Sequence, residues 1–117
     1  MNKVFTTLAA TGLFAASAMA TAADIGHGKD VATRGNCAAC HGEGLNKPAS
    51  NAYPKLAGQH ADYIYFALRS YQAGDGNALF GRKNALMSAQ VQNLSEDDLR
   101  DVAAYIESLP GDLVTKK

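Results

Sequence analysis

The sequence has no tryptophan and only two cysteines, Cys37 and Cys40, among its 117 residues. Without further thiols, a Cys₄ metal cage and a framework of several disulfides are both excluded. Charge of one sign is also missing. Eleven basic residues balance eleven acidic ones, no basic stripe is present, and a nucleic-acid partner is not expected. No apolar run reaches the roughly 20 residues that a bilayer-spanning helix needs. No stretch alternates convincingly at period two, so strands are not expected. No internal repeat, low-complexity tract or linker follows Asp24.

What is present begins with a leader-like segment. Met1 and Lys3 give a basic start, Val4 to Ala16 is an apolar run holding Leu8, Leu13 and Phe14, and the triplets Ala18-Met19-Ala20 and Ala20-Thr21-Ala22 offer small-residue cleavage sites. That is the layout of a secretory signal peptide. Residues 1–22 are expected to be a cleaved leader and 23–117 the working domain, delivered to the periplasm with no stable membrane insertion. The rival, retention as an anchor, is disfavoured by the short apolar run. An oxidising compartment permits a disulfide as well as covalent cofactor attachment. Fewer than a hundred residues then remain, a size at which a core needs help from a crosslink, a metal or a cofactor.

The periodicity is helical. Ser95 followed by Glu96, Asp97 and Asp98 has the form of a capping box, with acids where they complement the helix dipole. Leu99, Val102, Ala103 and Ile106 then form one apolar stripe, and Pro110-Gly111 ends the helix. A second helix is expected from about His60 to Ala73, where Ile64, Ala67, Leu68 and Tyr71 line one face and Tyr63 and Phe66 widen it. Gly74-Asp75-Gly76-Asn77 stops it with turn chemistry. A short helix from about Gly26 to Gly35 rests on Val31 and Ala32, and a further turn is expected from Leu86 to Gln92. The implied fold class is all-α, with three to four short helices joined by glycine-rich loops.

In RGNCAACHGEG, Arg34 to Gly44, Cys37 and Cys40 stand three apart with His41 directly behind. Residues at i, i+3 and i+4 share one face of a helical turn, so two sulfurs and an imidazole point at one object. Thioethers from both thiols to the vinyl edges of a haem would carry the imidazole beneath the porphyrin to the iron. Cys-x-x-Cys-His is the attachment signature of c-type haem. A thioredoxin-like pair wants a βαβ pattern, which is missing. Zinc needs four ligands, and His27 and His60 would both have to converge. A disulfide across two intervening residues closes a tiny loop and stabilises little. Only the haem also supplies a large apolar body for helices to pack around.

An iron held by His41 has a second axial position. Met87 is the one methionine left once residues 1–22 are removed, and it lies in RKNALMSAQ, a loop region ahead of the last helix. A thioether there is a soft ligand that favours reduced iron and closes the site to small molecules; the same residue type also fills core gaps. His27 and His60 are rival ligands, although a histidine at a helix start is more often solvated or capping. In YPKLAGQ, Tyr53 to Gln59, the backbone oxygen of Pro54 is the candidate acceptor for the second N–H of His41. Shaping a turn is the alternative role for Pro54.

These residues resemble the class I c-type cytochromes, and most closely the single-haem domains of the cytochrome c4 and c553 group. The resemblance is carried by CAACHG at Cys37 to Gly42, YPKLAGQHADYI at Tyr53 to Ile64, NALM ending at Met87, and LSEDDLRDVAAYI at Leu94 to Ile106. It implies that Cys37 and Cys40 are the thioether cysteines, His41 the proximal iron ligand, Met87 the distal ligand, and Pro54 the residue whose carbonyl steadies the histidine. It also implies that the helix before Cys37 crosses the last helix near Tyr105. The segment Asp75 to Gly81 is longer than the family's usual link to the methionine loop. With one haem motif, the chain cannot itself be a two-haem cytochrome c4.

The function expected from this resemblance is an exported carrier of single electrons rather than an enzyme, with one covalent haem c and its iron as cofactor. Its partners would be redox proteins that dock transiently at the exposed haem edge. Tyr53, Lys55 and Arg82 are candidate contacts to the haem propionates. A haem subunit held in an exported dehydrogenase or oxidase complex is the alternative, and a ligand sensor with an open distal site is a third.

Overall fold

A computed structural model describes residues 12–13 and 21–113, so most of the leader expected over 1–22 lies outside the described residues. The described residues form α-helices and two short 3₁₀ turns, with no strand. Helix α1 (Ile25–Arg34) starts where Asp24, in extended backbone, accepts a hydrogen bond from the His27 amide. Its low apolar content is explained by its partner. Gly28 is buried against α5 (Glu96–Ser108), and a Cβ built on it would lie 2.0 Å from the Asp101 carbonyl oxygen and 2.9 Å from Tyr105 Cβ. The two helices approach closely because no side chain stands between them.

Helix α5 is made by local signals. Ser95 accepts from the Asp98 amide while the Asp98 carboxylate accepts from the Ser95 amide, a complete capping box. Leu99, Val102, Ala103 and Ile106 are all buried. Residues on one stripe of α5 meet Val31 and Ala32 of α1, Leu45, and Ile64 of α3 (Ala61–Ala73) in one core.

Between these helices lie the one-turn α2 (Ala38–His41) and the 3₁₀ turn Glu43–Leu45. Helix α4 (Ala85–Val91) is capped by the Asn84 side chain, which accepts from the Met87 amide. The turn expected from Leu86 to Gln92 is this helix, shifted by one residue, so Met87 lies on a helix rather than in a loop. The long link before it closes on itself: the Asn77 carbonyl accepts from Gly81, and its side chain from Leu79 and Phe80. Arg82 is thereby returned to α3, where its amide donates to the Ser70 carbonyl at 2.9 Å. Gln72 reinforces the same junction, donating to the Val91 carbonyl at 2.7 Å and the Leu94 carbonyl at 2.9 Å. Among the described residues no helix is long and apolar enough to cross a membrane.

Candidate functional site

The site is built at the corner between α1 and α2. Asn36, at a positive φ of 49°, reverses the chain after α1, and the Cys37 amide still reaches back to the Ala32 carbonyl at 3.1 Å. Cys37 caps the next turn, and its carbonyl accepts from both Cys40 and His41. One helical turn thus carries two sulfurs and an imidazole, as the spacing requires. Gly42 ends the turn at φ 82°, and a Cβ there would meet the Lys47 carbonyl oxygen. A left-handed residue with no room for a side chain has to be glycine. It turns the chain from α2 into the 3₁₀ segment.

The following loop is fastened at several points. The Cys40 carbonyl accepts from Ala49, the Leu45 carbonyl accepts from both Leu56 and Ala57, and Gly58 donates to the Ile106 carbonyl of α5 at 3.0 Å. These bonds set Pro54 beside His41. His41 Nδ1 donates to the Pro54 carbonyl oxygen at 2.8 Å. A carbonyl only accepts, so Nδ1 carries the proton and Nε2 keeps its lone pair. The His41 residue is buried to 6 % exposure, and the Tyr53 ring lies edge-on to the imidazole, with centroids 6.4 Å apart.

Cys37 and Cys40 are free thiols, each half-buried. Burial pushes the Cys37 thiol above its ordinary value, and the neighbouring Cys40 adds to the shift. Redox-active pairs of the thioredoxin kind have a depressed thiol instead. Among the described residues no group of three or more His, Cys, Asp or Glu side chains is arranged to hold a metal, which leaves the zinc alternative without ligands. The donor set fits a covalently held haem: two unpaired thiols and an oriented imidazole with one nitrogen lone pair. Elsewhere the polypeptide leaves apolar side chains exposed. Tyr63 is 53 % and Phe66 66 % exposed on α3, and Leu86 is 63 % exposed on α4. The apolar face of α3 is therefore wider than the protein core, which buries only Ile64 and Ala67. Exposed apolar surface of this kind marks an interaction surface or a ligand site.

The other sequence candidates fall in separate places. Met87 is half-buried in the first turn of α4, which packs on α3. Arg82 lies over two α3 rings, 5.8 Å from the Tyr63 centroid and 5.5 Å from that of Tyr71. Lys55 pairs with Asp112 at 2.5 Å. His60 precedes α3 with Nδ1 3.6 Å from Glu107. His27 is neither merely solvated nor a capping side chain: it bridges to Asp98 and Asp101 of α5. Gly28 and Gln72 had no recognisable role in the sequence, whereas Gly42 stands at the end of CAACHG.

Comparisons with known proteins agree in one direction. The cytochrome c family model matches residues 25–110. Cytochrome c4 of Stutzerimonas stutzeri is 41% identical over 115 residues, which cover 95% of this chain and 52% of that protein. Cytochrome c-554(548) of Halomonas halodenitrificans is 39% identical over 77 residues, covering 63% of this chain and 84% of that protein. The crystal structure of reduced recombinant cytochrome c4 from Pseudomonas stutzeri matches with a TM-score of 0.67 at 34% identity, over 79% of this chain and 48% of that one. The chain spans about half the length of the cytochrome c4 relatives it matches.

Proposed function

The chain belongs to the cytochrome c family, and on that premise we propose that it is an exported carrier of single electrons working through one covalently bound haem c. Its all-α arrangement is the small class I cytochrome c fold. The observation that carries the reading is the turn Cys37–His41. It presents two free thiols beside an imidazole whose Nδ1 is already committed to Pro54. Haem iron, bound there, supplies reversible one-electron chemistry with no bond to substrate.

The chain's own residues set the conditions for that chemistry. Cys37 and Cys40 would hold the group as thioethers. His41 would offer Nε2 to the iron, and the Pro54 carbonyl fixes the ring's tautomer and raises its basicity. Met87 would supply a thioether to the iron, a soft ligand that would favour the reduced state and exclude small ligands. The likeness to cytochrome c4 and cytochrome c-554(548) supports the carrier over an enzyme, and the leader-like residues 1–22 support the periplasm as its compartment.

Partners on this reading are redox proteins that dock transiently. A protein named thiosulfate dehydrogenase electron acceptor, from Stutzerimonas stutzeri, is 30% identical over 117 residues but only half of its length is covered. Its name supports a role at the receiving end of an exported dehydrogenase.

The test is carbon monoxide addition to the reduced holoprotein at neutral pH, alongside Met87→Ala. The parent spectrum is expected to stay unchanged and the variant's to shift at once. A shift in the parent protein would assign the chain to ligand binding rather than to electron transfer.

A further inference from the structure

The crossing of α1 and α5 carries a cluster of ionisable groups that electron transfer does not use. His27, in the first turn of α1, has a carboxylate at each ring nitrogen. Asp101 Oδ2 lies 2.7 Å from Nδ1 and Asp98 Oδ1 lies 3.4 Å from Nε2. The ring is hydrogen-bonded to Asp101, whereas Asp98 stands at ion-pair distance, so a neutral imidazole with its single N–H serves Asp101 and only the protonated ring attracts both carboxylates. A neutral ring would turn a lone pair onto one of the carboxylates.

Both carboxylates are held in place by their other oxygens. Asp101 Oδ1 accepts from the Asp24 amide at 2.7 Å and Asp98 Oδ2 from the Ser95 amide at 2.9 Å. Asp24 in turn accepts from the His27 amide at 3.0 Å. The start of α1 is therefore tied to α5 through its cap, its backbone and the imidazole together. Close by, Gly28 has no side chain with which to grip α5. Further along, Val31 and Ala32 share the core with α5; the ring adds a polar tie at the first turn of α1, where Gly28 offers no side chain.

We propose that His27 is a proton-operated latch: as the imidazolium it straps the first turn of α1 to Asp98 and Asp101 of α5, and on losing its proton it releases Asp98 and loosens the crossing. The groups that face it act in the required direction. The hydrogen bond to Asp101 and the charges of Asp101 and Asp98 raise the His27 pKa above 6.5, against partial burial and the opposing charge of Arg34 on α1. Asp98 is held low, first by the Ser95 amide and also by His27, so it stays ionised as the latch operates. A raised folded value means that the strap contributes fully below about 6.5 and is lost as pH rises through the folded value.

The experiment follows the His27 ring by NMR in the holoprotein, in the parent and in Asp98→Asn, which keeps an oxygen for the Ser95 amide. The parent midpoint is expected above 6.5 and the variant midpoint closer to 6.5. Thermal unfolding of His27→Gln beside the parent supplies the second readout. The variant's melting deficit is expected to be a few degrees at about pH 5 and to be clearly smaller at about pH 9, where the neutral ring keeps only its bond to Asp101. A parent midpoint at or below 6.5, a midpoint indifferent to Asp98→Asn, or an equal deficit at both pH values overturns the latch.

Discussion

His41 Nδ1 and the Pro54 carbonyl oxygen meet at 2.8 Å across thirteen residues of chain. The acceptor is a backbone atom, and the loop's anchors at Cys40, Leu45 and Ile106 bring it there. Pro54→Gly keeps the carbonyl but frees the backbone that aims it. A weaker hydrogen bond makes the imidazole less basic, which favours reduced iron. The midpoint potential of the Pro54→Gly holoprotein is expected to rise, as read by spectroelectrochemistry; a potential equal to or below that of the parent would contradict this.

The proposed attachment of haem through the paired thiols has a direct chemical consequence. Cys37→Ser combined with Cys40→Ser should leave no haem on the chain after acid-acetone extraction, and the fold should loosen badly. The domain is small for an independent core, so loss of the haem also removes packing. Equal stability and retained colour in the double variant would exclude these thiols as the attachment points.

Gly28→Ala tests the close approach of α1 and α5. The new Cβ would stand 2.0 Å from the Asp101 carbonyl oxygen, so backbone has to move. Overpacking of this kind costs about 1–3 kcal/mol, to be measured by denaturant unfolding of the holoprotein. Gly76→Ala is the control, because nothing lies within 4 Å of its Cβ position; it should change stability by less than about 0.5 kcal/mol.

The readable parts of the fold were those written locally. Ser95, Asp98 and the stripe from Leu99 to Ile106 specify α5 within a few residues of one another, and each holds its expected place. The turn Cys37–His41 was legible for the same reason, since i, i+3 and i+4 meet on any helical turn. Helix α1 was faint because its interface is a glycine against a distant carbonyl, which leaves no apolar pattern. His27 was misjudged because its partners, Asp98 and Asp101, lie over seventy residues away. Helix α4 shows in the sequence only as a turn, and Met87 as a loop residue, since its seven residues bury only Val91. In α3, periodicity identifies Tyr63 and Phe66 as apolar-face residues, but it has no means of telling which part of that face the protein core covers, and both stay exposed.

The capping box makes α5 acid-sensitive. The Ser95 amide depresses the Asp98 carboxyl below its usual 3.8, so its contribution is present above that value and is lost as pH falls through the lower folded one. Asp98→Ala is expected to cost about 1 kcal/mol at about pH 5. The deficit should shrink as the unfolding measurements are repeated through 3.8 and below. A deficit that persists unchanged in acid would show that the carboxylate is not the stabilising form.

Counting electrons decides whether this chain is a single-haem carrier. Holoprotein matured by a competent host is titrated with reductant while the visible spectrum is followed, and the haem is then assayed on the denatured chain. One electron per chain, taken up in a single reversible step by a haem that stays attached after denaturation, is the result expected here. No pigment, a pigment that dissociates on denaturation, or more than one electron per chain would contradict it.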